Sequence, residues 1–513
     1  VNIFFVLCDE LRADALGCMG NKQIKTPHID SLASDSVLFE KSICNTPMCV
    51  PSRVSLATGR HALSHAAVDN MLQPRPTETS LFSLLQAQGY QTFSHGKWHC
   101  NIEPERFGMD SSNTGTSNLS PPESYISCFG IEDKSTREKS QYKRNDGEIS
   151  LIISGKRPSH KDKTLDSIVL ENYLDDLAIR KQAQEPMFAQ LSIMDPHTPY
   201  LPAEPFASMY EPGDIDMPSS LSDPLDSKPR LQRYFYHARG FDKLDEQDYR
   251  KTKAAYYGSV SHVDERVGKL ISNLKKQGLY DDSLIVFTSD HGSMMGEHGF
   301  VEKWGHMYEP VINTPLLIKM PFGEGAGTRK NGLVESIDIM PTILDLLGLE
   351  SSSTVHGKSL LPYIRKQSTQ HKSLVFAQYY CQGLQDEPAI MVKDETWKLT
   401  SYPCGKQLES KLFVDHYLRM SPLFDGAEVL GELYHLVDDP DERNNLFDVP
   451  EYSHIKRHYL DEITKWKSSF SDLVHFPKID KPRLGGSYSL LQGDNLDRLE
   501  QQVTGDNKQS RLW

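Results

Sequence analysis

No stretch of the chain approaches the roughly eighteen consecutive apolar residues that a membrane span requires, and the first apolar run stops at Asp9 and Glu10. A spanning segment is therefore not expected. Positive charge is also in short supply. The chain carries 56 Lys and Arg against 70 Asp and Glu, a formal net charge of -14, whereas general nucleic-acid binders and proteins lying on anionic membranes need a positive footprint. An anionic ligand would have to be met by a local basic pocket. The 8 cysteines, Cys8, Cys18, Cys44, Cys49, Cys100, Cys128, Cys381 and Cys404, lack the close, regular spacing of a disulfide framework or a zinc ribbon. Cys8, inside an apolar run, is expected to pack as a small hydrophobe. No internal repeat is found.

What is present reads as a folded α/β protein. With 38% hydrophobic and 25% charged residues over 513 positions, the chain exceeds one ordinary domain, and a large domain with a smaller companion is expected. Apolar runs at Ile3 to Leu7, Met187 to Met194, Ser283 to Thr288 and Pro315 to Ile318 read as buried parallel strands. Leu165, Ile168, Val169, Tyr173 and Leu177 recur at helical spacing, as do Val260, Val263, Val267, Leu270, Ile271 and Leu274, with Gly278 as the stop. The fold class is thus α/β, a large, mixed, mostly parallel sheet sandwiched by helices. Asp9-Glu10, Asp195-Pro196-His197 and Asp290-His291 each close an apolar run, and the carboxyl edge of such a sheet is where ligands bind.

Two polar stretches, Asn101 to Lys163 and Pro212 to Gln247, break this rhythm and read as long loops over the site edge. From Leu374 a new series begins: strand-like Leu374 to Tyr379, Ala389 to Val392 and Glu432 to Val437, then a helix from Ile455 to Phe470. This divides the chain into a large α/β domain, 1–368, and a smaller C-terminal α+β subdomain, 369–513, with an antiparallel sheet and a polar tail from Pro482. The chain opens on Val1 directly inside a strand, so an initiator methionine or signal peptide is expected to have been trimmed from view.

The most informative stretch is Cys49-Val50-Pro51-Ser52-Arg53, followed by Leu56-Ala57-Thr58-Gly59-Arg60. Pro51 suits a first helical turn and Gly59 a C-terminal cap, which predicts a short helix from Pro51 to Thr58 with Cys49 at its mouth. Free N–H groups then face position 49, with Arg53 one turn in on the same side, a place for an anion. Asp9, Glu10, Asp290 and His291 supply oxygen-rich ligands from two strand ends, which suits a hard divalent cation more than zinc.

These residues resemble the signature of the type I, formylglycine-dependent sulfatases of the alkaline phosphatase superfamily, Cys-x-Pro-Ser-Arg with a downstream Thr-Gly-Arg. The resemblance extends to Gly96-Lys97-Trp98-His99, to Lys303 in the segment Glu302 to Glu309, and to Glu432 through Leu446 near the C-terminus. Glu10 stands where the family commonly has Asp, His291 where Asn is commoner, and Lys303 precedes Tyr308-Glu309 by one residue more than in many relatives. The resemblance implies an alkaline phosphatase-like fold. It implies that Cys49 is oxidised to formylglycine by a formylglycine-generating or anaerobic sulfatase-maturating enzyme. Asp9, Glu10, Asp290 and His291, with residue 49, would hold Ca²⁺, with Mg²⁺ or Mn²⁺ as alternatives.

Further roles follow from the same resemblance. Lys97 would touch both sulfate and formylglycine, His99 a hydroxyl of its hydrate, and Lys303 the sulfate. Arg53 would help acidify the attacking hydroxyl, and His197 would protonate the departing alcohol, work for which imidazole is well matched near neutral pH. His306 is a reserve candidate beside Lys303. His61 and His65 are expected to cap or pack, His28 to lie at the surface, and Asp438 to Arg443 to form a solvated turn. The function expected is hydrolysis of a sulfate ester on a carbohydrate, in a periplasmic or secreted setting. A phosphonate monoester or phosphodiester hydrolase of the same superfamily is one alternative, against which Lys97 and His99 argue; a catalytically silent sulfoglycan-binding protein is the other, disfavoured by the intact Cys49 motif.

Overall fold

The computed structural model describes residues 1–70, 72–113, 141–142, 151–152, 154–157, 160–303, 305–380, 389–402 and 429–470. Eight strands form the main sheet: β1 (Ile3–Cys8), β2 (Val37–Ile43), β3 (Gln91–Gly96), β4 (Ser111–Asn113), β5 (Met187–Ile193), β6 (Leu284–Ser289), β7 (Asn313–Lys319) and β8 (Thr328–Glu335). Their order is β8-β2-β7-β6-β1-β5-β3-β4. Every strand runs parallel to β1 except β7, which is antiparallel to both its neighbours. The apolar run Pro315 to Ile318 is therefore a buried strand of the opposite direction to the one expected. An apolar run carries no direction; the connection does. Between β6 and β7 the chain makes site loops, a 3-10 turn at Glu297–Gly299 and one turn of α-helix, Glu309–Ile312, with no long crossover helix among the described residues to bring it back parallel.

Burial on both faces explains the continuous apolar runs. Ile3, Phe5 and Leu7 of β1 face one layer, and Phe4, Val6 and Cys8 the other. The first layer holds α2 (Cys49–Thr58), α3 (Leu81–Ala87) and α7 (Ile339–Leu346), with Val50, Val54, Leu85 and Ile343 against the sheet. The second holds α1 (Pro27–Ser34), α4 (Leu165–Arg180) and α6 (Glu246–Lys276), with Ile29, Tyr173, Leu177, Val263 and Leu270. Each such fully buried side chain contributes about 1.5–3 kcal/mol.

A second sheet is antiparallel, in the order β9 (Val375–Tyr379), β10 (Ala389–Lys393), β11 (Trp397–Ser401) and β12 (Gly431–His435). One face is covered by α8 (Ser453–Ser468) through Tyr459, Ile463 and Trp466. The other, with Val375, Ala377, Tyr379 and Met391, shares a core with Ile43, Met48, Met307 and Ile312 of the large domain. Pro212 to Gln247 is more than loop, since it contains α5 (Arg230–Ala238). Much of Asn101 to Lys163 and the whole tail from Pro482 lie outside the described residues. Among the described residues, no helix is long and apolar enough to cross a membrane.

Candidate active site

Sheet register gathers the site. Cys8 pairs with Ile193 on one side and Ser289 on the other, so Asp9-Glu10, the turn to His197 and Asp290-His291 all leave the sheet at one edge. β3 ends beside them at Gly96, whose φ is +94° and whose added Cβ would lie 2.0 Å from the Ser192 carbonyl oxygen. Only glycine turns the chain there, and the next residue is Lys97. The helix α2 begins at Cys49 itself and is capped by Gly59 in the left-handed region, φ 65°. Ser52 Oγ donates to the Asp290 carbonyl at 2.6 Å, tying this helix to the end of β6.

Arg53, one turn into α2, is 3% exposed and uses its whole fork. Nε donates to Asp290 Oδ2 at 2.9 Å and Nη2 to Asp9 Oδ2 at 3.0 Å, while Nη1 donates to the Lys97 carbonyl at 2.7 Å and Ser192 Oγ at 2.9 Å. It thus clamps the ends of four strands together, β1, β3, β5 and β6. In front of it, Cys49 Sγ lies 3.3 Å from His291 Nε2, 3.5 Å from Lys303 Nζ, 3.7 Å from Lys97 Nζ and 3.8 Å from Asp9 Oδ1. Lys97 also pairs with Asp9. Burial alone would raise the Cys49 thiol, but Lys303, Lys97 and His291 outweigh it and hold it well below its ordinary value.

His197 sits across the site. Its Nδ1 faces the Thr198 carbonyl at 2.6 Å and so donates to it, which turns Nε2 inward to Lys303 Nζ at 3.2 Å, Glu10 Oε2 at 3.6 Å and Asp9 Oδ1 at 3.9 Å. His99 adopts φ 47°. Burial holds this imidazole below its ordinary value, and its hydrogen bond to Cys49 acts the other way; its Nδ1 is buried without a partner. His306 packs in an aromatic cluster instead, its ring 4.1 Å from that of Phe300 and 5.8 Å from that of Tyr308, and burial holds it well below the ordinary imidazole value. His61 packs against His356 and Trp466, and His65 meets Ser55 Oγ at 3.0 Å. His28 is exposed.

The donor set suits a divalent cation. One ligand atom from each of Asp9, Cys49, Asp290 and His291 lies within 4.8 Å of the others, and all four residues are buried. His291 Nδ1 faces the Gly292 carbonyl at 3.0 Å and donates to it, leaving the Nε2 lone pair toward Asp290 Oδ1 at 3.6 Å and Asp9 Oδ1 at 3.9 Å. Burial and the facing Asp9 charge push the Asp290 carboxyl up, a strain that a cation between the two would relieve. Glu10 stands slightly apart. It clusters with Asp9 and His197, and its Oε1 accepts from Ser293 Oγ at 2.8 Å and Tyr200 Oη at 3.2 Å. Its φ of 67° is held by Tyr256 Oη donating to its carbonyl at 2.9 Å. Ser192, Tyr200, Tyr256 and Ser293 were not anticipated from the sequence.

The family model of the sulfatases matches residues 1–349. The chain belongs to the sulfatase family. It is a sulfuric ester hydrolase with an alkaline phosphatase-like fold. A second model, the C-terminal part of N-sulphoglucosamine sulphohydrolase, matches residues 296–415. Among curated relatives, the multifunctional alkaline phosphatase superfamily protein PehA of Trinickia caryophylli is 27% identical, covering 93% of this chain and 97% of that one. The N-acetylglucosamine-6-O-sulfatase of Bacteroides thetaiotaomicron is 25% identical over 92% of this chain and 87% of its own. The phosphonate monoester hydrolase of Silicibacter pomeroyi shares the fold with a TM-score of 0.73 at 23% identity, covering 92% of this chain and 96% of that one.

Proposed function

We propose that this sulfatase removes sulfate from a sulfated carbohydrate, with Cys49, matured to formylglycine, as the nucleophilic residue and a hard divalent cation, Ca²⁺ or else Mg²⁺ or Mn²⁺, beside it. The observation that carries the reading is the pair of lysines, Lys303 and Lys97, 3.5 and 3.7 Å from Cys49 Sγ, in a chain whose net charge is -14. Two buried ammonium groups there suit the oxygens of a bound sulfuryl group. Named carbohydrate sulfatases among the relatives support the substrate class.

The residue roles follow from position. Asp9, Asp290 and His291 would hold the cation, with Glu10 as a further oxygen donor; the cation supplies Lewis-acid polarisation of the sulfuryl oxygen and of the group at position 49. Formylglycine supplies an oxygen nucleophile where a thiol now stands. Lys97 and Lys303 offset charge that builds on the sulfuryl oxygens. His197 Nε2, oriented by the Thr198 carbonyl, gives a proton to the leaving alcohol. His99, hydrogen-bonded to residue 49, accepts a proton there. Arg53 keeps Asp9 and Asp290 in place.

A second reading, phosphonate monoester or phosphodiester hydrolysis, has the likeness to PehA and to the phosphonate monoester hydrolase in its favour. Lys97, 3.7 Å from Cys49 Sγ, and His99, hydrogen-bonded to Cys49, oppose it. The test is kcat/KM across defined sulfated oligosaccharides, with matched phosphate monoesters, phosphate diesters and phosphonate esters. Sulfate esters should exceed all three; a preference for diesters or phosphonates would install the second reading.

A further inference from the structure

β5 ends at Ile193, whose carbonyl still accepts from Asp9 N at 3.1 Å. The backbone N–H groups of Met194 and Asp195 then leave the sheet in a buried place, where an unpaired donor costs about 1–3 kcal/mol. One carboxylate takes both: Asp166 Oδ1 accepts from Met194 N at 3.0 Å and Oδ2 from Asp195 N at 2.8 Å. Asp166 lies in the first turn of α4, where the helix dipole favours a negative charge.

The Asp195 carboxylate is gripped in its turn. Arg266 Nη1 donates to it at 2.9 Å and Arg157 Nη2 at 3.5 Å, and Arg157 Nε donates to the Leu201 carbonyl at 3.0 Å. Arg266 is 1% exposed and spends its other donors on Thr164 Oγ1 at 2.9 Å, Ser167 Oγ at 3.4 Å and His262 Nδ1 at 3.0 Å. The turn that carries His197 is thus fixed on both flanks, and His197 N closes it by donating to the Met194 carbonyl at 3.0 Å. Cys49, Lys97 and Lys303 are held by other groups. The buried acid–base cluster of Asp166, Asp195, Arg266 and Arg157 bears most directly on His197, two residues beyond Asp195; Thr198 and Tyr200, which reach Glu10 at 3.4 and 3.2 Å, lie further along the same turn.

We propose that Asp166, braced together with Asp195 by Arg266, is the positioning group that aims His197 Nε2 at the leaving-group oxygen. This rests on the reading of His197 as the proton donor to the departing alcohol. Asn at position 166 keeps one acceptor oxygen and sets an NH₂ against the second backbone N–H, so the turn must shift. A proton donor displaced by a fraction of an ångström fails where the leaving group needs its proton and matters little where it does not.

The test uses the full-length matured enzyme with two substrates, a sulfated sugar and an activated aryl sulfate whose phenol leaves unaided. Asp166→Asn should lower kcat for the sugar ester about 10- to 100-fold with KM little changed, and lower kcat for the aryl sulfate less than about threefold. In a His197→Ala background the same substitution should add no further loss on the sugar ester. Arg266→Lys, which keeps the charge but loses the fork, should give the same selective loss and serves if Asp166→Asn folds poorly. Equal losses on both substrates from Asp166→Asn and Arg266→Lys, with His197→Ala selective, would make the cluster a plain structural anchor and overturn the proposal. If His197→Ala is itself unselective, the proton-donor reading falls and the proposal with it.

Discussion

Arg53→Lys separates the charge at the centre of the site from the geometry that the charge enforces. The guanidinium now makes four contacts, to Asp290 at 2.9 Å, Asp9 at 3.0 Å, the Lys97 carbonyl at 2.7 Å and Ser192 at 2.9 Å, and a single ammonium can reach at most two of them. At about 1.5–3 kcal/mol for each hydrogen bond to a charged group, the loss is about 3–6 kcal/mol, in line with the ~3–5 kcal/mol for breaking a buried pair. In a domain of this size that lowers Tm by on the order of 5 °C or more. The second consequence falls on the cation. Arg53 takes the Oδ2 atoms of both aspartates and thereby leaves each Oδ1 toward His291 Nε2, at 3.9 and 3.6 Å. Losing a group that orients metal ligands costs about 10- to 100-fold in affinity, so the Kd for Ca²⁺ should rise by that factor although net charge is unchanged. Thermal unfolding of the chelated protein and calorimetric titration with Ca²⁺ measure the two effects. An Arg53→Lys protein with wild-type Tm and calcium affinity would refute the clamp.

Three further outcomes are expected. Cys49→Ala should abolish turnover and leave Tm nearly unchanged, since only a small side chain is lost; residual wild-type rates would remove the formylglycine reading. Asp290→Asn should erase the gain in Tm produced by saturating Ca²⁺, and an undiminished gain would place the cation elsewhere. Burial would raise the Glu309 carboxyl, but Lys393 at 2.7 Å and Lys398 at 3.2 Å outweigh it and bring it to about 2 from 4.5. Its stabilisation is therefore present above about pH 4.5 and lost as pH falls toward 2, so Glu309→Gln should lower Tm at pH 7 and flatten its fall in that acid window.

The strands legible in the sequence are those buried on both faces. Ile3-Phe4-Phe5-Val6-Leu7 and Leu284-Ile285-Val286-Phe287 announce themselves because each side chain meets a helix layer or a neighbouring strand. β2 and β8, at one side of the sheet, carry Glu40, Lys41, Arg329 and Lys330 and show no such run; β3 is polar because Thr92, Ser94 and His95 make hydrogen bonds to Gly108, Gln190 and Asp176. β11 is hidden by Lys398, buried against Glu309 and Glu442. The site was legible where its residues fall in short motifs, as Cys49 with Arg53 or Lys97 with His99 do. Asp166, Ser192, Tyr200 and Ser293 have meaning only through partners distant in the chain, and no local pattern marks them. The segment Asp438 to Arg443 is solvated at Asp438 and Asp441, as expected, but its Glu442 is 2% exposed and ion-paired to Lys398.

That buried glutamate shows what the small sheet does for the large domain. Met48, just before Cys49, and Met307, four residues after Lys303, lie in the core that the small sheet completes. The Asn45 carbonyl accepts from Gln378 N at 2.9 Å, and the Met307 carbonyl accepts from Lys398 Nζ at 2.8 Å. Tyr308 Oη donates to Glu432 Oε1 at 2.7 Å, and Glu309 N to Glu442 Oε2 at 2.8 Å. Glu432 also accepts from Tyr434, Tyr402 and Gln232, at 2.6, 2.8 and 2.9 Å. A buried web of this kind adds little net stability, because desolvation offsets most of its attraction. It does admit few alternative geometries, since its carboxylates and donors are already matched to one another. What the small sheet supplies is therefore a fixed position rather than folding energy: Met307, Tyr308 and Glu309 are held in place by its side chains, a few residues beyond Lys303, whose Nζ lies 3.5 Å from Cys49 Sγ.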